Sequence, residues 1–160
     1  MPRSPQPDVS IVVPCFLATP SHAALLEETL DTVAQQRGVG YEVIVVDDGS
    51  PLDVASITMR HARTRRVWRP NGGSAQARNT GISASRGRML VFLDADDHLL
   101  PGALESALAR LEAEPELAFV IGPHEEMTFE GAPVPWGIAA PPDTDDLYRC
   151  LLYTSPSPRD

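Results

Sequence analysis

The chain has 160 residues, of which 42% are hydrophobic and 22% charged, a composition typical of a globular protein rather than a disordered one. Its formal net charge of −9 argues against general binding to nucleic acid. All 13 basic residues are arginine, which excludes mechanisms that need a lysine amine. The chain has no run of about 18 apolar residues and no apolar stretch before Val9, so we expect neither a membrane-spanning helix nor a signal peptide.

Positive charge is concentrated in residues 54–93, which contain eight arginines and no acidic residue. Such a stretch is compatible with an anionic small ligand, with an anionic membrane surface or with an ordinary solvated face. The two cysteines, Cys15 and Cys150, are too few for a disulfide framework, which favours a reducing compartment. We therefore expect a cytoplasmic protein, with peripheral attachment to the inner face of the membrane left open.

Apolar runs and turn signals predict alternating strands and helices along the chain. Strands are predicted at residues 9–13, 42–46, 66–68, 89–93 and 117–121. The first helix is predicted from Pro20, with Leu26, Leu30, Val33 and Ala34 on its buried face. Further helices are predicted at residues 53–62, at residues 74–84 with Ser74 as cap, and after Pro101 with Leu104, Leu108 and Leu111 facing the core.

Strands that are apolar throughout and alternate with helices predict an α/β fold. The expected architecture is a doubly wound, mostly parallel sheet that is covered by helices on both faces. Ligands of such sheets bind beyond the carboxyl ends of the strands. Polar residues and turn signals gather at those ends, in residues 14–16, 47–48, 71–73 and 94–97. The sequence therefore predicts a binding site at this edge of the sheet.

Asp94, Asp96 and Asp97 follow an apolar strand and form the most specific of these clusters. Like charges about 4 Å apart repel by about 4 kcal/mol at an effective dielectric constant near 20, so the cluster must stay solvated, raise a pKa or bind a cation. Carboxylate oxygens select hard ions such as Mg²⁺ or Mn²⁺. The alternative is a solvated acidic turn before the next helix. An EF-hand is disfavoured by Leu99 at its required glycine position, and an aspartyl-phosphate phosphatase by His98 and the missing lysine.

Two further features at the same edge are less specific alone. In the Asp-Asp-Gly-Ser turn of residues 47–50, a carboxylate can accept a hydrogen bond from a base or a sugar hydroxyl, or the turn can simply be an Asx turn that closes the strand. Arg78 lies on the helix that follows two glycines, an arrangement that suits phosphate, although an ordinary surface arginine would look the same. No Gly-x-Gly-x-x-Gly follows a strand, which disfavours a dinucleotide dehydrogenase.

Four motifs occur in order along the chain: Ser-Ile-Val-Val-Pro at 10–14, Val-Val-Asp-Asp-Gly-Ser at 45–50, Asn-Gly-Gly-Ser-Ala-Gln-Ala-Arg-Asn-Thr-Gly at 71–81, and Phe-Leu-Asp-Ala-Asp-Asp at 92–97. Together they resemble the nucleotide-sugar half of family-two glycosyltransferases, which have the Rossmann-like GT-A fold. The resemblance covers residues 9–122. It implies an enzyme that takes a UDP- or GDP-type sugar donor, uses Mn²⁺ or Mg²⁺, and transfers the sugar to an acceptor hydroxyl, usually with inversion.

The resemblance also implies roles for individual residues. Pro14, Cys15 and Phe16 would surround the nucleoside, and Asp48 would hydrogen-bond the base. Arg78 would lie near the base and the diphosphate. Asp94 and Asp96 form the Asp-x-Asp motif, which touches the ribose and the metal-bound diphosphate, and the metal would be held by Asp96 and Asp97. Cys15 departs from the small or hydroxyl residues that are frequent at its position.

The catalytic base of this family lies downstream of the Asp-x-Asp motif. Asp143, Asp145 and Asp146 are candidates by composition only, so the base is not assigned. Residues 150–160 resemble a translated sequencing adapter, with a Pro/Ser-rich tail as the alternative. The expected organisation is a disordered N-terminus at 1–8, a truncated GT-A domain at 9–149 and a non-native tail at 150–160. A non-catalytic nucleotide-binding module is the alternative function.

Overall fold

The computed structural model describes residues 6–122, 128 and 132. The chain divides into two units, Met1–Glu116 and Leu117–Asp160. The described helices and strands all lie in the first unit, in the order β1 (Val9–Cys15), α1 (Pro20–Ala34), β2 (Tyr41–Asp47), α2 (Val54–Thr58), β3 (Thr64–Trp68), α3 (Ser74–Ala84), β4 (Met89–Phe92) and α4 (Ala103–Ala113).

The four described strands form one parallel sheet in the order β3-β2-β1-β4. The predicted parallel α/β architecture is therefore confirmed. From β1 the chain moves outward through β2 to β3 and then returns to β4 on the other side of β1. This reversal places a switch point between the carboxyl ends of β1 and β4, which is where doubly wound sheets open a crevice for a ligand.

Helices on both faces of the sheet explain why the strands are apolar without alternation. On one face Ile11, Val13 and Val45 pack in a core with residues of α1, α2 and α4. On the other face Val12, Ile44 and Val46 pack against Ala77 of α3. Every residue of β2 is buried, so a polar residue on this strand needs a partner inside the protein.

β1 continues through Pro14, where the sequence predicted that it would stop. The backbone of Val12 faces β4, because its carbonyl accepts a hydrogen bond from Leu93 N at 3.1 Å. Pro14, two residues further on, faces the same side. The pairing with β4 has ended at Phe92, so the missing N–H of Pro14 removes no hydrogen bond from the sheet.

Several predicted details differ from the structure. Ala34 is exposed, and the cap of α3 is Gly73, with φ of 87°, rather than Ser74. In α4 only Leu104 is fully buried, while Leu108 and Leu111 are half-buried. The strand predicted at residues 117–121 does not form: this apolar run belongs to the second unit, where no described residue pairs with it.

The arginine-rich stretch at 54–93 is neutralised by acidic residues from outside it. Six ion-pair groups do this: Arg60 with Glu27, Arg65 and Arg86 with Glu42, Arg66 with Asp47, Arg69 with Asp48, Arg78 with Asp94, and Arg88 with Asp8 and Glu112. The guanidinium of Arg63 lies 4.9 Å from the centre of the Tyr41 ring. The charge asymmetry of the sequence is thus largely cancelled by folding.

Candidate functional site

A cleft of about 560 Å³ opens at the carboxyl ends of β1, β2 and β4. Its walls come from the segment after β1, the start of α1, the turn after β2, the N-terminal turns of α3 and the loop after β4. All seven residues predicted to bind a nucleotide sugar line it: Pro14, Cys15, Phe16, Asp48, Arg78, Asp94 and Asp96. The fold therefore brings together residues that lie up to 82 positions apart in the sequence.

The segment that leaves β1 forms an apolar wall of the cleft. Phe16 is 47% exposed and presents an aromatic ring on which a planar base can stack. Burial, together with the negative charge of Asp47, raises the pKa of the Cys15 thiol to about 12. Cys15 therefore stays protonated near neutral pH and contributes a small apolar surface rather than a nucleophile or a metal ligand.

The two aspartates at the end of β2 have different surroundings. Asp47 is fully buried and accepts hydrogen bonds from Ser50 N at 2.8 Å and from Arg66 Nε at 2.8 Å. Asp47 is thus a structural residue that fixes the turn after β2 and ties it to β3.

Asp48 holds the glycine loop before α3. Its carboxylate accepts hydrogen bonds from Gly73 N at 2.7 Å, from Gly72 N at 3.1 Å to each oxygen, and from Arg69. Burial would raise the pKa of this carboxyl, but the two backbone N–H groups and Arg69 outweigh that effect and lower it. Since each carboxylate oxygen already has two donors, a base would compete with them, and the predicted Asp48–base hydrogen bond stays a prediction.

The turn after β2 and the loop between β3 and α3 lie in close contact. Gly49 has φ of +75°, and a Cβ there would lie 2.8 Å from Asn71 N, so only glycine fits. Asn71 Nδ2 in turn donates to the carbonyl of Asp48 at 2.9 Å. This packing aims the N-terminus of α3 into the cleft, where its free N–H groups and positive dipole end suit a phosphate.

The loop after β4 supplies an acidic wall of the cleft, which contacts α3. Arg78 Nη2 of α3 lies 2.5 Å from Asp94 Oδ1, so these two predicted site residues form an ion pair. Asp96 lines the cleft, whereas Asp97 is not among its described lining residues. Burial, followed by the charges of Asp96 and Asp94, raises the pKa of the Asp97 carboxyl.

The acidic wall fits a divalent ion that takes some of its ligands from a substrate. Within residues 6–122, no group of three or more His, Cys, Asp and Glu side chains is arranged to hold a metal on its own. Mg²⁺-type ions commonly bind through one or two carboxylates and complete their shell with phosphates and water. Asp94 and Asp96 offer such carboxylates in the cleft, and the metal-ligand roles of Asp96 and Asp97 stay predictions.

His22 and Leu25 of α1 also line the cleft and were not predicted as site residues. His22 Nδ1 accepts a hydrogen bond from Ala18 N at 3.3 Å, so the neutral ring carries its proton on Nε2. Only the packing of α1 beside the segment after β1 shows this position, because a single histidine near a helix start has no distinctive sequence signal. Asp143, Asp145 and Asp146, like the tail at 150–160, lie outside the described residues.

The sequence model of the family described as "Glycosyl transferase family 2" matches residues 10–151. The chain belongs to this family. Similar curated proteins are the "Uncharacterized glycosyltransferase EpsJ" of Bacillus subtilis, 39% identical over 58% of this chain, and the "Succinoglycan biosynthesis protein ExoO" of Rhizobium meliloti, 37% identical over 67%. A glycosyltransferase of Haemophilus influenzae is 36% identical over 77% of this chain. The chain spans 27%, 30% and 41% of the lengths of these three relatives, respectively.

Solved structures share the fold. Staphylococcal TarS in complex with UDP-GlcNAc aligns over 68% of this chain and 32% of its own, with a TM-score of 0.61 and 24% identity. The mannosyltransferase PcManGT from Pyrobaculum calidifontis, in complex with GDP-Man and Mn²⁺, aligns over 66% of this chain and 32% of its own, with a TM-score of 0.57 and 29% identity. The GT-A fold expected from the motifs is thereby confirmed. Within the described part of the chain, no helix has the length and apolarity to cross a membrane.

Proposed function

We propose that this chain is the donor-binding part of a glycosyltransferase and binds a nucleotide-diphosphate sugar together with Mn²⁺ or Mg²⁺. The observation that carries the proposal is one cleft that is lined by Phe16, by the first turns of α3 and by Asp94 and Asp96. An aromatic ring, a helix N-terminus with an arginine, and a pair of carboxylates match the base, the diphosphate and the metal of such a donor. PcManGT, which was solved with GDP-Man and Mn²⁺, supports this combination.

Different residues of the cleft bind different parts of the donor. Phe16 stacks on the base, with Pro14 and Cys15 as the adjoining apolar wall. Arg78 is paired with Asp94 and lines the same cleft as the N-terminus of α3, so its guanidinium can exchange the carboxylate for a diphosphate oxygen. Asp96 and Asp97 would hold the metal, as the motif implies, and Asp94 adds a carboxylate to the cleft wall beside them. A bound divalent ion supplies charge neutralisation for the diphosphate leaving group.

Sugar transfer requires a base that deprotonates the acceptor hydroxyl, and inversion at the sugar carbon is the outcome that the family motifs lead us to expect. We further propose that the chain binds donor without transferring the sugar efficiently, since it spans 27% to 41% of the length of the three relatives described above. Appreciable turnover of a nucleotide sugar by this chain would refute that part. The acceptor and a position at the cytoplasmic side of the membrane stay predictions.

Titration calorimetry with UDP and with GDP, each with and without Mn²⁺, tests the proposal. We expect one nucleotide to bind more tightly with Mn²⁺ than without it. Asp96→Asn should reduce this gain in affinity by a factor of about ten or more, which corresponds to about 1.4 kcal/mol of binding free energy. Asp31→Asn is the matched control, because it removes the same charge from an exposed side chain of α1 outside the cleft. Binding that does not depend on metal would favour the non-catalytic nucleotide-binding module. Membership of family 2 leaves the phosphatase alternative without support.

A further inference from the structure

Gln36, two residues beyond α1, is polar but only 2% exposed. Its Nε2 donates to the carbonyl of Leu100 at 3.0 Å, and its Oε1 accepts from Leu104 N at 3.3 Å. One turn earlier, Thr32 Oγ1 accepts from Leu99 N at 3.1 Å. We call residues 93–99 the acidic loop. The three contacts join Thr32 and Gln36, at the end of α1, to the last residue of the acidic loop, to Leu100 and to the start of α4, and the bonded residues lie 64 to 68 positions apart in sequence.

The contact with Leu104 replaces a missing helix cap. The N-cap of α4 is Gly102, which has φ of 78° and no side chain to accept a hydrogen bond from the first turn. Leu104 is the second residue of α4, and its N–H is one of those that an N-cap side chain normally satisfies. Gln36 satisfies it from another helix. The start of α4 is therefore fixed to the end of α1 rather than by its own sequence.

The acidic loop is held at both of its ends and by contacts in between. At its start, Leu93 N donates to the carbonyl of Val12 in β1 at 3.1 Å. At its end, Leu99 is held by Thr32, and the following residues by Gln36. Between them, Asp97 N donates to Asp94 O at 3.1 Å, and Asp94 is paired with Arg78. Ala95 packs against the core, and His98 Nε2 lies 3.8 Å from Glu28 Oε2. The placement of the Asp94 and Asp96 carboxylates thus depends on the anchors at both ends in addition to these contacts.

We propose that Gln36 is a positioning residue for metal-dependent donor binding, acting through the loop that carries Asp94 and Asp96. The inference rests on the proposed function of the cleft. A small divalent ion demands nearly ideal placement of its oxygen ligands, and sites lose affinity when the supporting contacts are loosened. The base side of the cleft, built by Phe16 and the glycine loop, has no contact with Gln36 among the described hydrogen bonds. Loss of Gln36 should therefore weaken the metal contribution and leave metal-free nucleotide binding intact.

Two substitutions separate the anchors. Gln36→Leu keeps a similar volume and removes the hydrogen bonds to Leu100 and Leu104, whereas Thr32→Val removes the acceptor for Leu99. The control is Ser10→Ala at the opposite end of the sheet, where Ser10 Oγ accepts from Gly87 N at 2.8 Å and donates to Glu42 at 2.8 Å. The control also removes buried hydrogen bonds, so it reproduces a loss of stability without touching the acidic loop. Urea unfolding shows that each variant is folded at the assay temperature.

The measured quantity is the ratio of the UDP or GDP dissociation constants without and with Mn²⁺. We expect Gln36→Leu and Thr32→Val each to lower this ratio by about tenfold, with metal-free binding unchanged, and Ser10→Ala to leave it unchanged. If Gln36→Leu does not fold, Gln36→Glu keeps the acceptor for Leu104 and is tested with Thr32→Val. An unchanged ratio in the Gln36 and Thr32 variants would overturn this inference but not the proposed function. An equally large fall of the ratio in Ser10→Ala would do the same. A wild-type protein with no Mn²⁺ effect overturns both the proposed function and the inference.

Discussion

Gly81→Ala is a substitution for which helix propensity and the tertiary structure make opposite predictions. Gly81 lies inside α3, where alanine is normally about 1 kcal/mol better than glycine. However, a Cβ at this position would lie 3.0 Å from Val12 Cγ2, 3.2 Å from Val12 Cβ, and closer still to Val12 Cγ1. Favourable carbon contacts are about 3.5–4.0 Å long, so α3 or β1 must move by at least about half an ångström.

The structure allows no easy relief of this contact. Val12 is fully buried between α3 and the sheet, and its β-branched side chain has few rotamers to choose from. Overpacking of a core costs about 1–3 kcal/mol, and the short distances place this case near the upper end. After subtraction of the gain in helix propensity, we expect Gly81→Ala to lower the free energy of unfolding by about 2 kcal/mol. Because α3 also carries Arg78, its displacement should weaken nucleotide binding too.

Urea unfolding followed by circular dichroism measures the effect, with Ser83→Ala, at an exposed position on α3, as the helix control. The cause is tested by Val12→Ala, which removes both methyl groups that would clash. In a double-mutant cycle we expect the pair to be more stable than the sum of the single effects by about 1–3 kcal/mol. A Gly81→Ala variant as stable as wild type, or additive single effects, would refute the packing argument.

Three further predictions follow from single side chains. Burial would raise the pKa of Glu42, but hydrogen bonds from Arg86 and Ser10 outweigh burial and lower that pKa below its ordinary value of 4.5. The carboxylate therefore stabilises the fold above about pH 4.5, and this stabilisation is lost as the pH falls through the pKa of the folded state. Urea unfolding between about pH 7 and pH 3 should therefore show a smaller acid-induced loss in Glu42→Gln than in wild type, and equal losses would contradict it. Thr29 Oγ1 is buried without a hydrogen-bond partner in the described structure, so the isosteric Thr29→Val should raise the free energy of unfolding by about 1 kcal/mol, and a fall would show that the hydroxyl is satisfied. Asp48→Asn should weaken the binding of UDP and of CDP equally, by about tenfold in calorimetry, because the carboxylate holds the glycine loop. A loss of affinity for UDP alone would instead support the predicted hydrogen bond between Asp48 and the base.

Much of the fold could be predicted because the relevant signals are local. Apolar runs such as residues 42–46 report burial on both faces of a sheet, and that burial is what a parallel arrangement requires. The acidic residues at 94–97 follow such a run directly, so their place at the carboxyl end of a strand follows from chain order. The boundaries were less well predicted: the end of β1 depends on where β4 stops, which no property of Pro14 itself reveals.

The sequence by itself indicated the parallel α/β architecture through its apolar runs, and through its four motifs the family and seven of the residues that line the cleft. Each of these signals lies within a few neighbouring residues. Tertiary structure alone decided which side chains are paired. Folding pairs the arginines of residues 54–93 with acidic residues from elsewhere in the chain, and it supplies hydrogen-bond donors to both oxygens of Asp48. It also buries Gln36 against the start of α4. These contacts join residues that are far apart in sequence, and their partners become visible only when the strands and helices are packed together.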